Sequence, residues 1–394
     1  MKDVTKLGNI ADIYDGPHAT PKKIENGKYF LSISSLDNGS LDLSKSAFIS
    51  DKDFIKWTKR VQPQKGDLLF SYETRLGEAA LMPDNLQACL GRRMGLLRPK
   101  KDKVIPQYLL FAYLSPEFQK VIRKNTIKGA TVDRIALNEL GNFPIYIPDL
   151  KTQQSIAAVL SALDKKIALN KQINARLEEM AKTLYDYWFV QFDFPDANGK
   201  PYKSSGGEMV FDETLKREIP KGWKSFKLSE LVTLSTGKED ANFATEQGIY
   251  PFFTCSEKIL KCDVYSFDTQ AILLAGNGTF SVKRFTGRFN AYQRTYVLEP
   301  KSKNLYPIVY FVIIDNVVKF TSGSRGSIIK FITRGDIENI DVVLPNDIEN
   351  MRFSEVLYTY LLQAELLEKQ NYQLTQLRDF LLPMLMNGQV SVAE

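Results

Sequence analysis

Side chains able to do chemistry are scarce in this sequence, and their spacing argues against most catalytic centres. His18 is the only histidine, in a loop from Asp15 to Pro21, so two-histidine metal sites and histidine-based triads have no second member. Its reading is a loop residue at a turn. Cys89, Cys255 and Cys262 are too few and too irregularly spaced for a disulfide framework or a CxxC metal site, and Cys255 and Cys262 read as inert thiols. The Gly-Lys pairs at 27–28, 199–200 and 237–238 are followed by Tyr, Pro and Glu, where a phosphate loop needs Ser or Thr. No NPP or DPP motif of an amino-methyltransferase and no strand-linked GxGxxG occurs. The carboxylates are many, yet no pair takes acid and base roles from spacing alone. The chain therefore reads as a non-enzyme with no metal site and no cofactor of its own.

What remains is positive charge. The 52 Lys and Arg exceed the 46 Asp and Glu by only six, but the excess is concentrated. Residues 91–134 hold eleven cations against three acids, and residues 283–334 hold ten against two. Two basic segments about 200 residues apart suggest two sites for a polyanion.

An internal repeat accompanies them. Residues 127–149 lie over 324–346 at a constant offset of 197, which pairs Gly129 with Gly326, Ile135 with Ile332 and Pro148 with Pro345. Nearer the start, the segment from Leu7 resembles that from Leu228 at an offset of 221. The second copy is thus shorter, a difference that belongs in loops.

After each closing proline the same offset runs through a helical pattern. Ile156, Leu160, Leu163, Ile167, Asn170, Asn174, Leu177, Ala181, Leu184 and Trp188 alternate steps of four and three, the seam of a coiled coil. Their partners are Phe353, Leu357, Tyr360, Ala364, Leu367, Asn371, Leu374, Arg378, Leu381 and Leu385. Asn174 and Asn371 occupy matching seam positions, where a polar residue selects one register at some loss of stability. Forty residues of helix span about 60 Å. Between the copies, residues 191–223 are rich in Pro, Gly, Ser and charge and read as a surface linker.

Strands are expected at 29–33, 67–71, 94–97, 270–274, 295–298 and 340–344, and helices at 106–123 and 307–320. The fold class is α+β: two pseudo-symmetric globular domains separated by two long coiled-coil helices. The expected boundaries are 1–150 for the first domain, 151–192 for the central helix and 193–222 for the linker. The second domain spans 223–346, the C-terminal helix 347–386 and a tail 387–394. No apolar run approaches the ~18 residues of a membrane span, and the start lacks a signal-peptide core, so the expected location is cytoplasmic.

At the central helix and linker the residues carry a family resemblance. The segment Ile147-PDLKTQQSIAAVLSALDKKIALNKQINARLEEMAKTLYDYWFVQFDFP, followed by Gly206-GEMVFDETLKREIPKGW, resembles the central region of specificity subunits of Type I restriction-modification systems. The likeness runs to the terminal FLLPMLMNGQV. It implies two target recognition domains in inverted orientation, separated by an antiparallel pair of long coiled-coil helices, and gives His18 a DNA-facing role as the alternative to a turn residue. With two basic segments and diverged loops on a common framework, each domain is expected to read one half of a bipartite asymmetric DNA target. The resemblance further implies helices that dock methyltransferase subunits bringing S-adenosylmethionine, with restriction motor subunits bringing ATP and Mg. A protein-binding scaffold without DNA readout is the alternative function.

Arg is preferred to Lys for reading base edges, and both neutralise phosphates. The candidate DNA contacts are Arg75, Arg92, Arg93, Lys128 and Arg134 in the first domain, near a polar loop at 32–45. In the second they are Arg284, Arg288, Arg294, Arg325 and Lys330. Taken singly, each has the bland reading of a solvated cation. The turn at 276–280 reads as a glycine-dependent loop. The aromatic run Tyr185, Tyr187, Trp188 and Phe189 reads as packed against the second domain or a partner subunit, with exposed apolar residues beside it for docking.

Overall fold

The computed structural model describes residues 4–17, 19–129, 132–321, 331–348 and 351–392. His18, Arg325 and Lys330 lie outside them. The chain divides into two compact units, residues 1–168 with 371–394, and residues 169–370. Both are mixed α and β, and each is built to the same plan.

In the first unit, Leu68–Ser71 is apolar on both faces and fully buried, so it forms the middle of an antiparallel sheet ordered Ala11–Asp15, Met94–Pro99, Leu68–Ser71, Ala79–Leu81. A second sheet runs Ala47–Ile49, Lys28–Leu31, Ala88–Leu90, and its last pairing is parallel. Val4–Lys6 pairs with Pro144–Tyr146 to close the domain. The expected single helix over 106–123 is two, Pro106–Leu114 and Pro116–Lys124. Pro116 disfavours helical geometry at Ser115, whose hydroxyl instead accepts from the Phe118 N–H at 3.3 Å and starts the second helix.

The second unit repeats this with one change. Val232–Thr236, Thr295–Pro300, Phe267–Ala275 and Val282–Ala291 follow the order of the first sheet, and Tyr250–Phe253 and Leu260–Cys262 continue it to six strands. The ten-residue strand Val282–Ala291 takes the place of the two short strands Ala79–Leu81 and Ala88–Leu90, which Pro83, lacking an N–H, keeps apart. Trp223–Lys227 closes against Asp341–Pro345. Lys6 faces Pro144 in one copy and Lys227 faces Asp341 in the other, in agreement with the offsets of 221 and 197.

The helices Leu150–Tyr185 and Ser354–Met386 each give one stretch to each unit. Asp149 starts the first by accepting from the Thr152 N–H at 2.9 Å and its hydroxyl at 2.7 Å; these bonds hold its carboxyl below the usual value. Within the first unit, Ile156, Leu160 and Ile167 are buried, Leu163, Leu374 and Leu381 are half-buried, and Leu385 is buried. Arg378 meets Asp164 at 3.0 Å, and Asn371 donates to the Ile167 carbonyl at 3.4 Å. Within the second, Asn170, Ala181, Leu357 and Ala364 are buried, while Asn174, Leu177, Leu184, Phe353 and Leu367 are half-buried. There the fully buried Asn170 donates to Gln370 at 2.7 Å. In both stretches the pairing is antiparallel.

One expectation is met on its first alternative and one changes. Tyr185, Trp188 and Phe189 are interior: Trp188 and Phe189 pack on Phe353, and Phe189 on Trp223, so the run packs within the second unit. Of the apolar residues expected to be exposed for docking, Val190 stands directly beside it. The linker, by contrast, is folded. Phe192 is buried, Phe194 stacks on Trp223 and Tyr202 at 4.7 Å, and Met209–Asp212 pairs with Arg217–Pro220. Its aromatic residues outweigh its Gly, Ser and charge.

No helix among the described residues is long and apolar enough to cross a membrane. Cys89 is fully buried, and burial pushes its thiol up to about 12, whereas Cys255 is partly exposed. The thiolate is the nucleophile, so an alkylating reagent at pH 8 is expected to label Cys255 first and Cys89 only on unfolding. Mass spectrometry of a time course checks this; early labelling of Cys89 would contradict it.

Candidate nucleic-acid interface

Three segments of the first unit meet at one surface. The turn after Leu68–Ser71 is tied by its main chain to the turn before Met94–Pro99, the Tyr72 N–H donating to the Arg93 carbonyl at 3.1 Å. It is tied also to the strand Arg134–Ile135, the Ile135 N–H donating to the Tyr72 carbonyl at 2.9 Å. Glu73 and Arg134 form a bridge there. The second unit has the same wiring. The Gly276 N–H donates to the Arg294 carbonyl and the Ile332 N–H to the Gly276 carbonyl, both at 2.8 Å, and Asn277 bridges Phe331. The Gly16 N–H bonds the Met94 carbonyl, as the Gly237 N–H bonds that of Thr295. At both, a Cβ would collide with main chain, 2.6 Å from the Gly91 oxygen and 1.9 Å from that of Ala291, so glycine is required by close approach.

On the first frame, Arg92, Lys128 and Arg134 are exposed. Arg93 has φ +72° and meets Glu73 at 3.0 Å. Arg75 is half-buried, donating to the Ile33 carbonyl at 2.9 Å and meeting Glu78 at 3.2 Å, which draws the polar loop at 32–45 to this surface. Five candidates are thus brought together, with Arg75 and Arg93 held by acids and the other three extended outward. On the second frame Arg294 is exposed in its turn. Arg288 is not brought to this frame: it is exposed at the opposite end of the paired strands Phe267–Ala275 and Val282–Ala291, where it faces and meets Asp268 at 3.0 Å and lies over the Tyr265 ring at 4.9 Å. The bond to Asp268 holds its guanidinium above the ordinary value.

Arg284 is a correction. Its side chain is 4% exposed and meets Glu178 at 2.5 Å, so it is removed from the candidate DNA contacts. Alternation along Val282–Ala291 puts it on the face that covers the core.

Sequence reasoning missed Lys56, Trp57, Lys59 and Arg60. They line a cleft with Asp15, Gly16 and Pro17, Arg60 pairing with Asp15. The available signal was four cations between 52 and 60. Among the described residues no group of three His, Cys, Asp or Glu side chains is arranged to hold a metal.

Both surfaces expose planar Arg donors on a hydrogen-bonded main-chain frame, a chemistry that suits a polyanion. Comparison with known proteins agrees. Residues 1–179 and 220–376 match the Type I restriction modification DNA specificity domain. The EcoDI specificity subunit of Escherichia coli is 45% identical over 181 residues, 44% of this chain and 40% of that protein. The MjaIX specificity subunit of Methanocaldococcus jannaschii is 24% identical over 438 aligned positions, 100% of this chain and 94% of its own. A solved Type I restriction-modification S subunit from M. genitalium shares the fold, with a TM-score of 0.60 at 14% identity over 97% of this chain and 95% of its own. With both copies matched, the chain belongs to the Type I restriction-modification DNA specificity family, as a specificity component and not an enzyme.

Proposed function

We propose that each unit reads one half of a bipartite, asymmetric double-stranded DNA target. The observation that carries this is one main-chain frame built twice and furnished with different side chains, Glu73 bridging Arg134 on the first against Asn277 bridging Phe331 on the second. Equal frames give equal docking, and unequal side chains give unequal half-sites. Arg92, Lys128, Arg134 and Arg294 are the proposed contacts, joined by Lys56 and Lys59; Arg60, Arg75 and Arg93 support the surface through their acids.

The reading assigns adenine methylation and cleavage to partner subunits, which would carry S-adenosylmethionine, ATP and Mg, and it places the complex with the DNA in the cytoplasm. The helices supply a surface for methyltransferase subunits. One residue before the seam, Leu169, Ile173 and Met180 of the second unit are exposed, as are Leu377 and Phe380 of the first. Leu169 matches Leu366 and Met180 matches Leu377 at the offset of 197, so an apolar stripe is duplicated for two copies of one partner.

The test is binding of the full chain to DNA across a salt series. Replacing Arg92, Lys128 and Arg134 together by Ala is expected to weaken binding and to flatten the salt dependence by about 0.9 in log–log slope for each phosphate that is no longer neutralised. Unchanged affinity and slope would favour the scaffold alternative.

A further inference from the structure

Where the recognition sheet meets the helix pair, the second unit carries an ionic joint that its first copy lacks. Arg284, on Val282–Ala291, meets Glu178 of the central helix at 2.5 Å and Glu368 of the C-terminal helix at 3.8 Å. Its guanidinium lies over the Tyr310 ring at 4.5 Å. Its Nη1, the Tyr306 hydroxyl and one Glu365 oxygen are buried without a hydrogen-bond partner among the described residues. One buried cation thus meets two acids and a phenol ring from three helices, with Tyr306 and Glu365 beside them.

The strand pairings identify the first copy's equivalent. Arg284 faces Ile272 as Leu81 faces Leu68. At the matching offsets Leu109 stands for Tyr310, Ile105 for Tyr306, Ala168 for Glu365, Lys171 for Glu368 and Thr375 for Glu178. Leu81 and Ile105 pack on the first unit's apolar core. An apolar contact tolerates sliding, whereas a guanidinium between two carboxylates and a ring face accepts one geometry.

Arg284 stands two residues into the strand that leaves the 276–281 turn, on which the second frame is built. We infer that Arg284 is a positioning residue for the second recognition domain, clamping to the helix pair the strand that fixes this turn and the frame joined to it. It touches no DNA itself and acts through the strand. The inference rests on the DNA-reading proposal, and the experiment separates the two.

Full-length protein is selected against a randomised duplex pool, and base preference is scored at each half-site. Wild type is expected to select two half-sites; failure to select any would overturn the DNA reading and this inference with it. Arg284→Leu, the first copy's residue, is expected to lower selectivity at the second half-site by about tenfold, equivalent to ~1.4 kcal/mol, and to leave the first unchanged. A general loss of stability would not move one half-site alone. A variant carrying Arg284→Leu, Glu178→Thr, Glu365→Ala and Tyr310→Leu transplants the apolar joint and is expected to fold even where the single variant does not. It should remain less selective at the second half-site. Wild-type selectivity there in a folded variant, or equal loss at both half-sites, would overturn the clamp.

Discussion

A chimaera whose residues 1–150 come from a relative with a different target should read a new first half-site and keep the second. The graft is feasible because the first domain is joined to its helix through main-chain groups. Gln153, fully buried, donates to the carbonyls of Lys103 at 3.1 Å and Pro148 at 2.8 Å and accepts from the Ile105 N–H at 2.9 Å. A donor domain offers the same carbonyls and N–H whatever its side chains. Each wrong base pair costs about 1–3 kcal/mol, so a replaced half-site of several base pairs should lower affinity for the original target by roughly two orders of magnitude or more. Methylation mapping in the reconstituted complex, with binding to oligonucleotides altered in one half at a time, measures it. A change in both halves, or in neither, would mean that the units do not read separately.

The second large effect is on stability. Arg98 makes a two-bond contact with Asp67, Nε to Oδ1 at 3.0 Å and Nη2 to Oδ2 at 2.8 Å, and donates to the Gln62 carbonyl at 2.9 Å. Asp67 is almost wholly buried, its other side-chain partner being the Gln64 N–H. Arg98→Leu leaves a buried carboxylate without its cation, and the loss of such a partner costs about 3 kcal/mol. For a unit of this size that lowers the midpoint of thermal unfolding by about 6–12 °C. Adding Asp67→Asn removes the stranded charge while keeping the Gln64 bond, so the double variant should regain most of the loss. Calorimetry of the three proteins decides it; a single variant as stable as wild type would show Asp67 to be adequately solvated.

The repeat and the seam were legible because each is a pattern in residue type, whereas of the four closing strands only that at 340–344 was expected. Leu7 and Leu228 open matching short helices, and Pro148 and Pro345 close matching copies. The break at Ser115-Pro116 is also present in the letters, since proline constrains its predecessor, but the apolar run around it hides the interruption. Arg284 could not be read. Its partners lie 106 and 84 residues away, and burial of a cation depends on where those acids are brought, which composition does not carry. The linker misled because Phe192, Phe194 and Trp223 are few among many polar residues yet pack on one another. Of the recognition surface, the cations were visible; the hydrogen bonds joining Tyr72 to Arg93 and Ile135 were not, because every main chain carries the same donors and acceptors.

That last property bears on how new specificities arise. A surface wired through amides and carbonyls does not depend on which side chains it displays, so Arg92, Lys128, Arg134 or Arg294 can be exchanged one at a time while the fold persists. Intermediates between two target preferences remain folded proteins, and the path from one to the other crosses no valley of instability. The constraint falls elsewhere, on Gly16 and Gly237, which contribute no letter to the reading and tolerate no replacement. Variation and invariance are thereby sorted onto neighbouring positions of the same turn system.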